Sequence, residues 1–212
     1  MMNRRIFTSG LLFGSVGFST LSCSAPSNAV RPRRDLYNCE GCDVVFERAK
    51  AKLGATLRLA EASEPGERMW LSGTIFQNDG VTPARDVILY AHHTNNDGLY
   101  AHGTNENEWS RRHGRLRGWV RTGADGRYAF DTVKPAPYPD RTMPAHVHLY
   151  IGEPGRRSYY VDDAVFAGEF RVDADYIARQ ELRGGSGIVP AVKDAQGVWQ
   201  VRRDIILEPH PV

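Results

Sequence analysis

Four side chains in this sequence have the types and spacing to hold one metal ion. His146 and His148 stand two residues apart in the apolar run Pro144-Ala145-His146-Val147-His148-Leu149-Tyr150. Side chains alternate across a strand, so this spacing puts both imidazoles on one face. An isolated His-x-His is most often a polar strand face. Two tyrosines change that reading. Tyr138 lies in Lys134-Pro135-Ala136-Pro137-Tyr138-Pro139, a short loop upstream, and Tyr100 lies in Asp97-Gly98-Leu99-Tyr100-Ala101-His102, at the end of an earlier strand pattern. Two phenols and two imidazoles point to ferric iron, a hard ion that favours anionic oxygen. A free tyrosine titrates near pH ~10, but coordination to such a cation replaces its proton. Two tyrosinates then lower the Fe(III) charge by two while both imidazoles stay neutral. Zinc or copper gains little from phenolate and prefers imidazole or thiolate.

The order of motifs around these residues resembles the intradiol ring-cleavage dioxygenases, the catechol and protocatechuate-type enzymes. The strand Val87-Ile88-Leu89-Tyr90 leads to Tyr100. It is followed by Leu116-Arg117-Gly118-Trp119-Val120-Arg121-Thr122, then Gly126-Arg127-Tyr128-Ala129-Phe130, then Tyr138, His146 and His148. The resemblance covers roughly residues 67–170. It implies a β-sandwich with Fe(III) at one end of the sheets, held by Tyr100, Tyr138, His146 and His148. It also implies a catechol substrate, bound as a dianion, whose ring is cut by O2 between the hydroxyl-bearing carbons to give a cis,cis-muconate. The family carries an arginine directly before its Pro-Ala-His-x-His strand, and here that position is Met143. Arg141 is the nearest cation along the chain and is the candidate to stabilise developing negative charge on the substrate. The loop from Tyr138 to His146 is shorter than in the family. The family's helical dimerisation segment is missing or replaced by residues 30–66, so substrate choice and oligomer contacts do not carry over.

Two other readings compete. Met143 favours an inactive sandwich of the same family that binds iron or a catecholate without turnover. A transthyretin-like structural sandwich with a fortuitous His-x-His is the other. Of the remaining histidines, His92 and His93 at the end of the Val87 strand read as polar surface, and His113 as part of a solvated basic loop. His102, two residues from Tyr100, is placed to line the mouth of a site, and His210 lies in the tail.

The elements that must position these groups follow from the pattern along 212 residues. A composition of 41% hydrophobic and 25% charged residues is that of an ordinary globule. A formal net charge of +2, with arginines spread along the chain, argues against nucleic-acid and membrane partners. Short β runs separated by turns begin at Met69: Met69–Phe76, Val87–His92, Trp119–Thr122, Tyr128–Thr132, His146–Ile151, Tyr159–Phe166 and Val198–Leu207. Ala124-Asp125-Gly126 is a hairpin signal. These runs predict an all-β, antiparallel sandwich over 67–209. Ser63-Glu64-Pro65-Gly66 marks its start, Asp173–Leu182 a short helix, and Gly184-Gly185-Ser186-Gly187 a flexible loop. Residues 30–66 read as an irregular segment, with a helix or lid over Asp43–Leu59.

Residues 1–29 read as an export signal. Asn3-Arg4-Arg5-Ile6-Phe7 is a basic start with paired arginines, and Gly10–Leu21 is apolar but too short to span a bilayer. The pattern is twin-arginine-like, with Ser27-Asn28-Ala29 as cleavage site, and predicts a periplasmic or secreted protein. Acylation at Cys23, giving a lipid-anchored form, is the alternative. In such a compartment Cys39-Glu40-Gly41-Cys42 reads as a local disulfide, with free thiols or paired zinc knuckles across a dimer as alternatives. Twin-arginine recognition depends on guanidinium groups rather than on charge alone. Replacing Arg4-Arg5 by two lysines should therefore block or slow export, measured by fractionation. Normal export of that variant would point to a general secretory route.

Overall fold

The computed structural model describes residues 32–211, so the export-signal and Cys23 readings lie outside the described residues. Eleven strands are assigned among them: β1 Thr56–Arg58, β2 Arg68–Phe76, β3 Ile88–His93, β4 Arg117–Arg121, β5 Arg127–Val133, β6 His146–Gly152, β7 Tyr159–Phe166, β8 Ile188–Val189, β9 Ala191–Lys193, β10 Trp199–Arg202 and β11 Ile205–Ile206. They form two sheets. One has the order β1-β5-β2-β10-β9, with β11 also on β2, and the other β4-β3-β6-β7-β8. The fold is the expected all-β sandwich. Its central pairs are antiparallel, but β1 on β5, β10 and β11 on β2, and β8 on β7 are parallel. The long connection over residues 167–187 returns the chain to β7 for β8, whereas β10 follows its antiparallel neighbour β9 by a short turn and β11 continues along β2 after the break that follows β10.

Strand alternation decides which side chains meet in the middle. Val147, Leu149 and Ile151 of β6 and Leu89 and Ala91 of β3 face Met69, Leu71, Ile75 and Phe130 of the other sheet, all essentially sealed from solvent. Each such side chain contributes about 1.5–3 kcal/mol on burial. His146, His148 and Tyr150 are thereby sent to the opposite face of β6, where His148 is paired with His92 and Tyr150 with Tyr90 of β3. That outer face is not left to solvent. A 3-10 turn at Cys42–Phe46 drops Val44 and Val45 onto Ile88 and Tyr90, with Trp109 and Trp119 alongside.

The N-terminal segment is thus part of the fold. Leu36 enters the main core, and β1 joins the sheet at Thr56, ahead of the turn at residues 63–66. The stretch expected as a helix or lid over 43–59 is this 3-10 turn followed by β1. The expected strand Val198–Leu207 breaks at Arg203, whose buried guanidinium donates to the carbonyls of Gly184 at 2.9 Å and Gly185 at 2.9 Å. The Gly184–Gly187 stretch is packed rather than loose, with the Gly184 N–H donating to Glu208 at 2.8 Å. Two short helices are present: α1 Glu108–His113, capped by Asn107, and α2 Ala174–Ala178, capped by Asp173. The first carried no amphipathic signal because it spans little more than one turn.

Gly73 of β2 shows how tightly the strand break is seated: a Cβ there would lie 2.0 Å from the Arg203 carbonyl oxygen. The obstacle is backbone and cannot swing aside. Gly73→Ala should cost about 1–3 kcal/mol or more, lowering the melting temperature by roughly 2–4 °C per kcal/mol. Thermal denaturation checks this, and an unchanged midpoint would contradict the packing described.

Candidate metal centre

Each of the four candidate donors is delivered by a feature legible in local chemistry. His146 opens β6 and His148 follows on the same face. Tyr100 sits after a turn that closes β3, where the Asn95 side-chain oxygen accepts from the N–H groups of Asp97 at 2.9 Å and Leu99 at 3.0 Å. Tyr138 sits in the proline-flanked loop between β5 and β6. The two tyrosine loops are pressed together at Gly98, which has φ 76° and whose missing Cβ would lie 2.0 Å from the Pro137 carbonyl oxygen. Only glycine serves there, on both counts. Thr94 Oγ1 donates to the Ala136 carbonyl at 2.8 Å and the Ala136 N–H donates to the Asn95 carbonyl at 3.1 Å, tying one loop to the other.

The four donor atoms close a ring. Tyr100 Oη lies 2.7 Å from Tyr138 Oη and 2.9 Å from His148 Nε2. Tyr138 Oη lies 3.2 Å from His146 Nε2, and the two Nε2 atoms are 3.1 Å apart. An imidazole nitrogen sits ~2.0–2.1 Å from a first-row ion such as zinc, which puts two ligands at right angles ~2.9 Å apart. The four edges have that scale. The tautomers agree as well. His146 Nδ1 donates to the Pro144 carbonyl at 2.7 Å, and His148 Nδ1 donates to the Asp163 carboxylate at 3.1 Å. Neither partner can donate, so in the neutral rings both Nε2 atoms present bare lone pairs to one another. Two phenols and two such lone pairs around one point fit a cation of high charge.

Desolvation governs the electrostatics. Burial raises the Tyr100 phenol well above its ordinary value, and its hydrogen bond to Tyr138 adds to this. Burial also raises Tyr138. Burial lowers His146. For His148 burial opposes the charged form, but the charge and hydrogen bond of Asp163 outweigh it and raise the pKa. Asp163 shows the reverse balance: burial resists its ionisation, and His148, with His146 beyond it, holds it below the usual carboxylate range. In the protein alone, both phenols are poor acids, so a bound cation must supply the driving force for ionising them.

Asp163 is the functional residue that sequence reasoning missed. Its signal was present: Asp162-Asp163 interrupts an otherwise apolar strand, and paired acids in a buried run demand partners. With His146 and His148 it forms a group whose donor atoms lie within 4.8 Å of one another. His148 and Asp163 also border an open cleft of about 350 Å³, walled by Tyr150, Tyr160, Tyr176, Arg179, Gln180 and the disulfide loop at Asn38–Glu40. Cys39 and Cys42 are disulfide-bonded, as expected.

Arg141 is not brought to the four donors. It is exposed, its backbone is left-handed at φ 55°, and its guanidinium lies 4.0 Å over the Phe170 ring. The cation that reaches the cleft is Arg179, just past α2. It also lines a smaller hollow of about 280 Å³ shared with Met143, the position where the resemblance implies an arginine. Three histidines differ from their surface readings. His92 is 3% exposed because the N-terminal segment and α1 cover the outer face of β3, and His93, on the opposite face of the strand, is 1% exposed because it turns in toward the other sheet. His92 stacks between His113 at 4.0 Å and His148 at 4.5 Å. His93 Nε2 lies 2.8 Å from Thr132 Oγ1, and burial pushes its pKa down to about 4. His113 is buried with Nδ1 2.8 Å from Tyr90 Oη. His102 stays exposed and pairs with Glu106, and His210 is held between Tyr37 and Glu153.

Comparison with known proteins places the chain in a family. The chain is 26% identical over 155 residues to a catechol 1,2-dioxygenase of Acinetobacter lwoffii, covering 66% of this chain and 53% of that protein. It is 27% identical over 168 residues to a hydroxyquinol 1,2-dioxygenase of Nocardioides simplex, covering 68% and 55%. The chain thus spans about half the length of these relatives. Among solved structures, the dioxygenase domain of a dioxygenase carbohydrate-binding fusion from Streptomyces sp. SirexAA-E superposes with a TM-score of 0.55 at 23% identity, over 71% of this chain and 86% of that one. Catechol 1,2-dioxygenase from Pseudomonas arvilla C-1 gives 0.54 at 23% identity, over 74% and 58%. Both support the fold. Residues 43–209 match the dioxygenase family model Dioxygenase_C. With about four-fifths of the chain inside that match, the chain belongs to the intradiol ring-cleavage dioxygenases.

Proposed function

We propose that this protein is a ferric-iron intradiol dioxygenase that opens a catechol ring between its hydroxyl-bearing carbons with O2, giving a cis,cis-muconate-type product. The observation that carries the reading is the convergence of Tyr100 Oη, Tyr138 Oη, His146 Nε2 and His148 Nε2, with neighbouring atoms 2.7–3.2 Å apart, beside an open cleft. These four atoms would hold the ion. Bound there, ferric iron supplies a Lewis acid and electron acceptor that makes a chelated catecholate reactive toward O2.

The remaining steps belong to the chain. A catechol entering the cleft must lose two protons to bind through both oxygens. Tyr138, on a loop and less buried than Tyr100, is the phenolate that would accept one of them at Oη, and the other would leave to solvent through the open cleft. His146 and His148 cannot serve as that base while their Nε2 lone pairs are engaged and their Nδ1 protons are held. Tyr150 and Tyr176 give the cleft aromatic walls beside the ring, and Arg179 offers a cation where charge develops. The Cys39–Cys42 disulfide supports the exported reading, because such bonds persist in oxidising compartments. Met143 favours one rival, a member that binds iron and catecholate without turnover, and oxygen uptake with catechol separates the two.

Two experiments follow. Tyr138→Phe or His146→Ala should abolish or strongly reduce bound iron and the tyrosinate-to-iron absorption of the purified protein. Full occupancy with an unchanged spectrum in either variant would sink the ligand assignment. A preorganised cation near developing charge is typically worth ~10²–10³ in turnover. Arg179→Ala should lower turnover by about that factor with iron intact, whereas Arg141→Ala should stay near wild type. If the two results were exchanged, Arg141 would be the stabilising group and the reading of the cleft would be wrong.

A further inference from the structure

The ladder between β6 and β7 is irregular at one place. Val147 pairs with Ala164 and Leu149 with Val161, so Asp162 and Asp163 together oppose the single residue His148. This is a β-bulge, which re-aims side chains on the strand carrying the extra residue. The two carboxylates take separate tasks. Asp162 secures the bulge from behind: its carboxylate accepts from the N–H groups of Leu182 at 2.8 Å and Arg183 at 3.2 Å, and its own N–H donates to the Arg183 carbonyl at 3.0 Å. Gly187 closes against the same spot, where a Cβ would lie 2.1 Å from the Asp163 carbonyl oxygen. Asp163 is left facing the site, with Oδ1 3.1 Å from His148 Nδ1.

We propose that this bulge exists to make Asp163 the positioning residue for His148, fixing its ring orientation and raising its donor strength above that of His146. The inference rests on the ferric-iron reading above. The two imidazoles are anchored by unlike partners. His146 is held by a neutral carbonyl and His148 by a carboxylate. A carboxylate draws the Nδ1 proton toward itself, leaves more electron density on Nε2 and fixes the tautomer. Density donated by His148 makes the metal a weaker acceptor of charge from the two tyrosinates. The bulge therefore sets two separable properties: how tightly the ion is held, and the energy of the tyrosinate-to-iron transition.

The test uses the full chain loaded with ferric iron, comparing wild type, Asp163→Ala and Asp163→Asn. Iron affinity is measured by competition with nitrilotriacetate, and the visible band is recorded alongside melting temperature. Loss of an outer partner of a metal-bound histidine typically costs about 10–100-fold in metal affinity, and Asp163→Ala should lose that much. Asp163→Asn keeps an acceptor oxygen of the same shape without the charge. It should retain most of the affinity but move the band to longer wavelength, because a less electron-rich ion accepts charge more readily. A group that only stabilised the strand would lower the melting temperature in both variants without moving the band. If both variants match wild type in affinity and band position, the proposal is overturned while the iron reading stands. A wild-type protein that takes up no ferric iron overturns both.

Discussion

Two imidazole nitrogens face each other 3.1 Å apart with no proton of their own to share, since both Nδ1 atoms already hold the ring proton against Pro144 and Asp163. Lone pairs held at that separation repel unless something positive lies between or beside them. The two phenols 2.7 Å apart complete the same demand. Protons can meet it partly, by bridging phenol to imidazole. A trivalent cation meets it fully, and the rest of the architecture can be understood as what keeps these four groups from relaxing away.

That restraint is spread over several elements. Strand alternation puts Val147, Leu149 and Ile151 into the main core and so commits His146 and His148 to the other face. A slip of one residue would exchange them, which buried leucine and isoleucine forbid. The tyrosines come from loops, whose freedom is removed by the contact of Gly98 with the Pro137 carbonyl and by the ties between Thr94, Asn95 and Ala136. The N-terminal segment finishes the work. It seals the outer face of β3 over Tyr90 and His92, and its disulfide loop forms one wall of the cleft. One stretch of chain therefore both walls the cleft and packs behind the strand that pairs with β6.

Much of this was legible in sequence, and the remainder was not for identifiable reasons. The four side chains that converge could be picked out because they rest on period-two spacing and on loops marked by glycine and proline, both local signals. The main strands could be read for the same cause. The burial of His92 and His113 could not, because it depends on which segment covers the outer sheet face, and that of His93 could not, because it depends on the opposing sheet; both are long-range facts. The position of Arg179 at the cleft was hidden in the same way. Chain proximity favoured Arg141, whereas the turn after α2 carries Arg179 back over the site from nearly forty residues downstream. Asp163 was half visible. Its type was anomalous in an apolar strand, but the bulge that aims it at His148 is a property of the pairing between β6 and β7.

The identity of the atoms in the shell around the bound ion is the property on which the proposed chemistry depends. Iron K-edge X-ray absorption on the ferric-loaded protein reads that shell directly. The structure predicts low-atomic-number donors only, a mixture of oxygen and nitrogen, with the outer-shell multiple scattering of two imidazoles and the short iron–oxygen distances of phenolates. A shell containing sulfur, one with imidazole scattering from three or more histidines, or one with no imidazole scattering would contradict it.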